Sequence, residues 1–143
     1  MQNTGLLRRL GAMLYDGFLV FASLAVLAML ATIPLDFERV QTGGPNYVLG
    51  YNVVRAVVPF LFFTLYWSKA GMTLGMQSWR LKIETLDGGD VSFGAASLRF
   101  FAAILSWAAF GLGFLWQLWD KGNLTWHDRI SGTRIVYYPK DAA

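Results

Sequence analysis

The segment Leu10–Ile33, LGAMLYDGFLVFASLAVLAMLATI, holds 24 residues and one charge, Asp16. At about 1.5 Å per residue it makes roughly 36 Å of helix, enough to cross a hydrocarbon core of about 30 Å. Pro34 follows and turns the residue before it away from helical backbone, so the span should end at Ile33. A cleaved signal peptide is the competing reading, because Arg8 and Arg9 form a basic leader and Ser23-Leu24-Ala25 has the small-x-small form of a cleavage site. The apolar run continues past that site, and Asp16 would fall inside the leader's apolar core. The segment therefore reads as a retained membrane span.

The rest of the composition agrees. The 143 residues are 55% hydrophobic and 15% charged, with a mean hydropathy of +0.42. Soluble domains carry about 25% charged residues, so an ordinary soluble enzyme is excluded, and disorder is excluded by the hydrophobicity itself. The length suits a single domain, residues 1–143. The chain has no cysteine, hence no disulfide, thiolate metal site or cysteine nucleophile. With His127 the lone histidine, a metal cage of histidines and cysteines is excluded too, and no cofactor is expected.

Working outward, Tyr47–Trp67 is a second apolar stretch, interrupted by Arg55 and Pro59. The 12 residues from Ala56 to Trp67 alone would reach about 18 Å, too short to cross, so Arg55 must lie within the span or bend it. Tyr47, Tyr66 and Trp67 stand at its two ends, as interfacial rings do. The third stretch, Phe93–Trp119, has Arg99 near its start and Gly111-Leu112-Gly113 in its second half. It fits either one straight span or a helical hairpin broken at the glycines.

Charge distribution bears on that choice. Lysines and arginines gather at Arg8 and Arg9, at Lys69, Arg80, Lys82 and Arg99, and at Lys121, Arg129, Arg134 and Lys140, whereas the first loop has Arg39 against Asp36 and Glu38. The positive-inside rule then makes the N-terminus, the segment after Trp67 and the tail 120–143 cytoplasmic. Trp79–Leu86 alternates, with Leu81, Ile83 and Thr85 on one face, before the turn Asp87-Gly88-Gly89-Asp90; Thr133–Tyr138 is the other short β-rich run outside the spans. Isolated strands need partners. Pairing these two puts both on one side and favours the hairpin. The expected fold is an all-α membrane protein with spans at 10–33 and 47–67, a hairpin or third span at 93–119, and a small two-stranded cytoplasmic β element. Topology accounts for the pI near 9.4, so the lipid bilayer is the expected partner and nucleic acid is not.

Several polar residues need explaining. A carboxylate at the depth of Asp16 costs about 2.5 to 3.5 kcal/mol on insertion scales, so it should face protein or water and have a partner. Arg9 lies two helical turns before it, on the same face and about 10 Å away. Asp16 is then either a buried carboxylate satisfied by its neighbours or an ion or proton site. Pro59 deprives the Arg55 carbonyl of its helical donor, so a kink is expected there. The Arg55 guanidinium either neutralises Asp16 or snorkels to lipid phosphates. In the tail, Leu124–Thr133 reads as a short helix ending in Gly132, a residue suited to a C-cap. His127 beside Asp128 does not make an acid/base pair, because adjacent helical residues point about 100° apart and no nucleophile accompanies them. Gly71-Met72-Thr73-Leu74-Gly75-Met76 lacks the ending of a phosphate loop and reads as a short segment on the membrane surface.

Three separated signatures follow one another along the chain: Arg9-Leu10-Gly11-Ala12-Met13-Leu14-Tyr15-Asp16; Gly71-Met72-Thr73-Leu74-Gly75 through Arg80-Leu81-Lys82-Ile83 to Asp87-Gly88; and Thr125-Trp126-His127-Asp128-Arg129-Ile130-Ser131-Gly132-Thr133-Arg134-Ile135-Val136. Together they resemble the RDD family of small bacterial membrane proteins. The resemblance implies a bacterial inner-membrane location and makes Arg9, Asp16 and Asp128 the counterparts of the arginine and two aspartates that name the family. Ser131 stands where alanine is common. The resemblance implies little about activity: transport of unknown ligands has been suggested for the family, and some members are linked to sodium/proton exchange. From these readings we expect Arg9, Asp16 and Asp128 to converge, with Arg9 as the cation shared by both carboxylates. Asp16 would take a proton, a monovalent cation or a small solute. So small a chain would need copies of itself or another membrane protein to line a pathway. The alternative is a docking module that uses the β element; an enzyme is not expected.

Overall fold

The computed structural model describes residues 4–32 and 45–138. Ile33-Pro34, the first-loop charges Asp36, Glu38 and Arg39, and Lys140 lie outside them. Helix α1 runs over Leu6–Thr32 and α2 over Pro45–Lys69, unbroken through Pro59. Within them Leu6–Leu30 and Val48–Lys69 are long and apolar enough to cross a membrane. Their outward side chains are bare of protein, Phe18 at 74% and Phe21 at 72% exposure, which suits helices solvated by lipid. Together these features fit an integral membrane protein.

After α2 the chain forms the short helix α3 (Leu74–Ser78), capped by the Thr73 hydroxyl, which accepts from the Met76 N–H. The short segment expected from Gly71–Met76 packs across α1. Gly75 permits it: a Cβ there would collide with the Ala12 carbonyl oxygen and come within 2.8 Å of the Asp16 carboxyl carbon. Strand β1 (Leu81–Thr85) follows and pairs antiparallel with β2 (Thr133–Tyr137), with Leu81 opposite Tyr137 and Thr85 opposite Thr133. The strands expected from Trp79–Leu86 and Thr133–Tyr138 are therefore present and paired. Alternation sets their packing: Leu81 and Ile83 are fully buried against Ala12, Met76, Trp67, Val91 and Ala96, each contributing roughly 1.5 to 3 kcal/mol. On the other face Arg134 pairs with Glu84 across the ladder at 2.7 Å.

The third apolar stretch is not one straight helix but breaks at the glycines. Helix α4 (Phe93–Ala108) would reach about 24 Å. It stops where Phe110 and Gly111 take left-handed backbone, φ 56° and 78°. The chain then bends by 108° into α5 (Leu112–Leu115) and a 3₁₀ turn over Trp116–Leu118. Gly113 holds the bend closed, because a Cβ there would strike the Ser106 hydroxyl. One arm is long and the other is short. A turn around Asp120, whose carboxylate accepts the Gly122 and Leu124 N–H groups, leads to helix α6 (Trp126–Ser131). Gly132, at φ 64°, ends α6 in the left-handed cap that the sequence suggested. By this route the chain returns to the end of the bundle from which α4 started, where α6 and the sheet sit together.

Candidate functional site

At that end the structure gathers a polar layer from four elements. Asp128, at the third position of α6, forms a capping box with Thr125: the Thr125 N–H donates to Oδ2 and the Asp128 N–H donates to the Thr125 hydroxyl. Locked in this way, its carboxylate serves two arginines. Arg9 of α1 donates to Oδ2 at 2.8 Å and Arg99 of α4 to Oδ1 at 2.5 Å. All three side chains are buried. Arg9 also donates to the Thr4 hydroxyl and the Asn123 carbonyl, and Arg99 donates from the same Nη1 to the Thr133 hydroxyl. Thr4 in turn donates to the Ile135 carbonyl. Burial alone would push the Asp128 carboxyl up, but Arg99 and Arg9 outweigh it and hold the group well below the usual carboxylate range. The cluster binds the start of α1, the second turn of α4, α6 and β2 into one unit.

Asp16 sits elsewhere. Its Oδ2 accepts from the Thr73 hydroxyl and its Oδ1 from the Gly75 N–H at 2.8 Å, which ties α3 to α1. Among the described residues no lysine or arginine pairs with it. The expected sharing is thus inverted: Asp128 is the anion shared by two arginines, and Arg9 is not the cation shared by two aspartates. The geometry of α1 explains this, because the Arg9 fork is fully engaged at the helix start while Asp16 lies two turns deeper. Arg55 does not neutralise Asp16 either. It is exposed on α2, with its guanidinium 5.5 Å from the Tyr51 ring centre.

Beside both carboxylate sites lies a cavity of about 380 Å³ between α1, α2 and α4, with Arg9, Asp16, Trp67, Arg99 and His127 in an otherwise apolar wall. His127 stacks its ring on Phe114 at 4.7 Å between centres. Among the described residues its Nδ1 has no hydrogen-bond partner, nor has the Trp67 Nε1. Burial, reinforced by Arg99, lowers the His127 pKa to about 3, so the ring is neutral at physiological pH.

Sequence reasoning singles out Arg9, Asp16 and Asp128 but passes over Arg99, Thr73 and Thr4. Two signals exist for the first of these and its partner. An arginine in the second turn of an apolar helix calls for the same explanation as Arg55. Thr125-x-x-Asp128 is also a capping-box pattern, which fixes the Asp128 rotamer before any ion pair is considered. A sequence profile described as the RDD family matches residues 4–132 of the chain. Among curated proteins and among solved structures no match is found.

Proposed function

The chain belongs to the RDD family, and from that premise we propose that it is a non-enzymatic membrane protein of the bacterial inner membrane that moves a proton or a monovalent cation by way of Asp16. One observation supports this reading above others: Asp16 is a buried carboxylate in a cavity wall, held by a hydroxyl and an amide that carry no charge. A buried anion without a cationic partner is the group whose charge a bound cation or proton would balance. Asp128 is already balanced twice over and serves as the fixed part of the same end. Two membrane helices and a bent third element make a thin wall, so the working unit in this reading is an assembly of copies around a shared pathway.

The test is ion flux into proteoliposomes, with sodium and pH gradients applied in turn, for the wild type beside Asp16→Asn. Loss of flux in a variant that remains folded is the expected result. Equal flux in both, or none in the wild type under either gradient, would remove Asp16 from a transport role. That second outcome would leave a docking module built on the paired strands β1 and β2 as the reading.

A further inference from the structure

The pair of arginines on Asp128 has an exposed counterpart that lacks an anion. Arg8, in the first turn of α1, is exposed and holds its guanidinium 4.4 Å from the Tyr137 ring centre. Arg80, also exposed, immediately precedes β1, and its carbonyl accepts from the Tyr138 N–H at 3.1 Å. The ladder sets Leu81 opposite Tyr137, which makes Arg80 and Tyr137 neighbours across it. Arg8 and then Arg80 hydrogen-bond the Tyr137 hydroxyl and hold its pKa below the ordinary tyrosine value. Among the described residues neither arginine pairs with an acidic group. On the ladder Glu84 is taken by Arg134, and Asp87 and Asp90 lie past the opposite end of β1. Two cations brought onto one hydroxyl repel each other, and an anion between them would relieve that repulsion.

Two further observations bear on what that anion is. Arg80 has left-handed backbone, φ 56°, which strains a residue with a Cβ and which glycine adopts freely. Strain kept at a side chain that makes no ion pair points to a use for that side chain. The second observation is depth. The Trp79 ring lies against α1 at Gly11, where a Cβ would come within 2.5 Å of it. Gly11 and Arg8 are three residues apart and share a face of α1. Trp79 and Leu7 are exposed apolar groups beside the two arginines, at the beginning of the apolar helix Leu6–Leu30. Indole rings settle at the level of lipid headgroups, so the two guanidiniums stand at the level of the phosphates.

We propose that Arg8 and Arg80 form a binding site for an anionic phospholipid, its phosphodiester held between the two guanidiniums beside Tyr137 and its acyl chains running past Trp79 along α1. The planar fork of a guanidinium matches a pair of phosphate oxygens, which suits arginine to this task better than lysine. The proposal does not rest on the ion reading of Asp16.

Its test titrates the full chain, in neutral detergent, with phosphatidylglycerol or phosphatidylcholine and counts the first bound lipid by native mass spectrometry. Both lipids carry a phosphodiester, and only phosphatidylglycerol has a net charge. Phosphatidylglycerol should bind about tenfold more tightly. Arg8→Gln and Arg80→Gln should each weaken its binding about five- to tenfold. Lys121→Gln, which removes one charge from an exposed turn, should leave it unchanged. Arg80→Gly, which suits the left-handed backbone, should weaken lipid binding without lowering the unfolding temperature of the lipid-free protein, and so separates the site from the fold. Equal affinity for the two lipids, full binding by Arg80→Gly, or as large a loss in Lys121→Gln as in the arginine variants would overturn the site. Displacement of phosphatidylglycerol by an equal concentration of glycerol 3-phosphate would overturn the lipid as the source of the phosphate.

Discussion

Asp16 and Asp128 are both buried carboxylates on short-range tethers, and they are satisfied in opposite ways. Asp128 accepts from two guanidiniums and from its own capping-box amide, so its charge does the binding. Asp16 accepts from one hydroxyl and one amide, so its shape and lone pairs do the binding. A corner built on charge should fail when the charge is removed. A corner built on lone pairs should tolerate a neutral isostere.

The sharpest way to break the comparison is Asp128→Asn. Whichever oxygen becomes an amide NH₂ then faces an arginine donor, and both guanidiniums lose the charge they share in a buried place. The cost should be about 3 to 5 kcal/mol. Accumulation of a tagged protein in cells should collapse, and thermal unfolding in mild detergent should shift strongly downward. Arg9→Ala and Arg99→Ala should each be milder, because one guanidinium remains on Asp128. A variant Asp128→Asn with wild-type abundance and unfolding temperature would show that the cluster is not what holds this end together.

The Asp16 corner has its own sensitive point, which is steric. Gly75→Ala would place a methyl group against the Ala12 carbonyl and the Asp16 carboxyl carbon. Helix α3 would have to lift from α1, at a cost of about 1 to 3 kcal/mol. Gly17→Ala on the same helix α1, where a Cβ would meet nothing within 4 Å, is the control. If both substitutions destabilise equally, close packing of α3 on α1 is not the source of the effect.

A third measurement separates the two corners by pH. His127, beside Asp128, is held neutral in the fold, with its pKa lowered to about 3 by burial and then by Arg99. In the unfolded chain it takes up a proton below about pH 6.5. The unfolded state therefore binds more protons as pH falls, and stability is lost from pH 6.5 downward, by about 2 kcal/mol at pH 5 relative to pH 8. Asp128, whose pKa is depressed, stays charged throughout that window and loses its contribution only at more acid pH. His127→Phe should flatten the pH dependence of unfolding between 8 and 5 while retaining a ring against Phe114. A variant that keeps the wild-type slope would place the titrating group elsewhere.

What is legible in the sequence divides along similar lines. The spans and strands follow from local periodicity: Leu10–Ile33 is apolar throughout, and Trp79–Leu86 alternates. The convergence of Arg9 with Asp128 is also legible, because pairing of the two strands returns the tail to the end where α1 starts. The partners of Asp16 are not. Thr73 and Gly75 lie 57 and 59 positions away, and nothing in a threonine followed two residues later by glycine says which carboxylate it will cap. Arg99 is hidden differently: it counts among the cytoplasmic basic residues by position, while its place inside an apolar helix points it inward. The bend after α4 is located by its glycines, but its angle depends on left-handed backbone at Phe110, a residue type that carries no such signal.

The smallest expected effect is the one that sharpens the comparison most. Asp16→Asn makes the same chemical change as Asp128→Asn, but in the corner built on lone pairs. Asparagine can keep its oxygen on the Gly75 N–H and turn its NH₂ toward the Thr73 hydroxyl. A hydroxyl oxygen has two acceptor sites, and the Met76 N–H occupies one of them. Both tethers therefore survive with donor and acceptor exchanged at Thr73, and the stability cost should be about 1 kcal/mol or less. Thr73→Val removes the hydroxyl from either partner and the bond can be lost only once, so Asp16→Asn combined with Thr73→Val should cost less than the sum of the two single changes, as read by a double-mutant cycle on thermal unfolding. A large loss of stability from Asp16→Asn alone would mean that the Asp16 charge is matched by a cation in the assembled protein, and the contrast between the two corners would disappear.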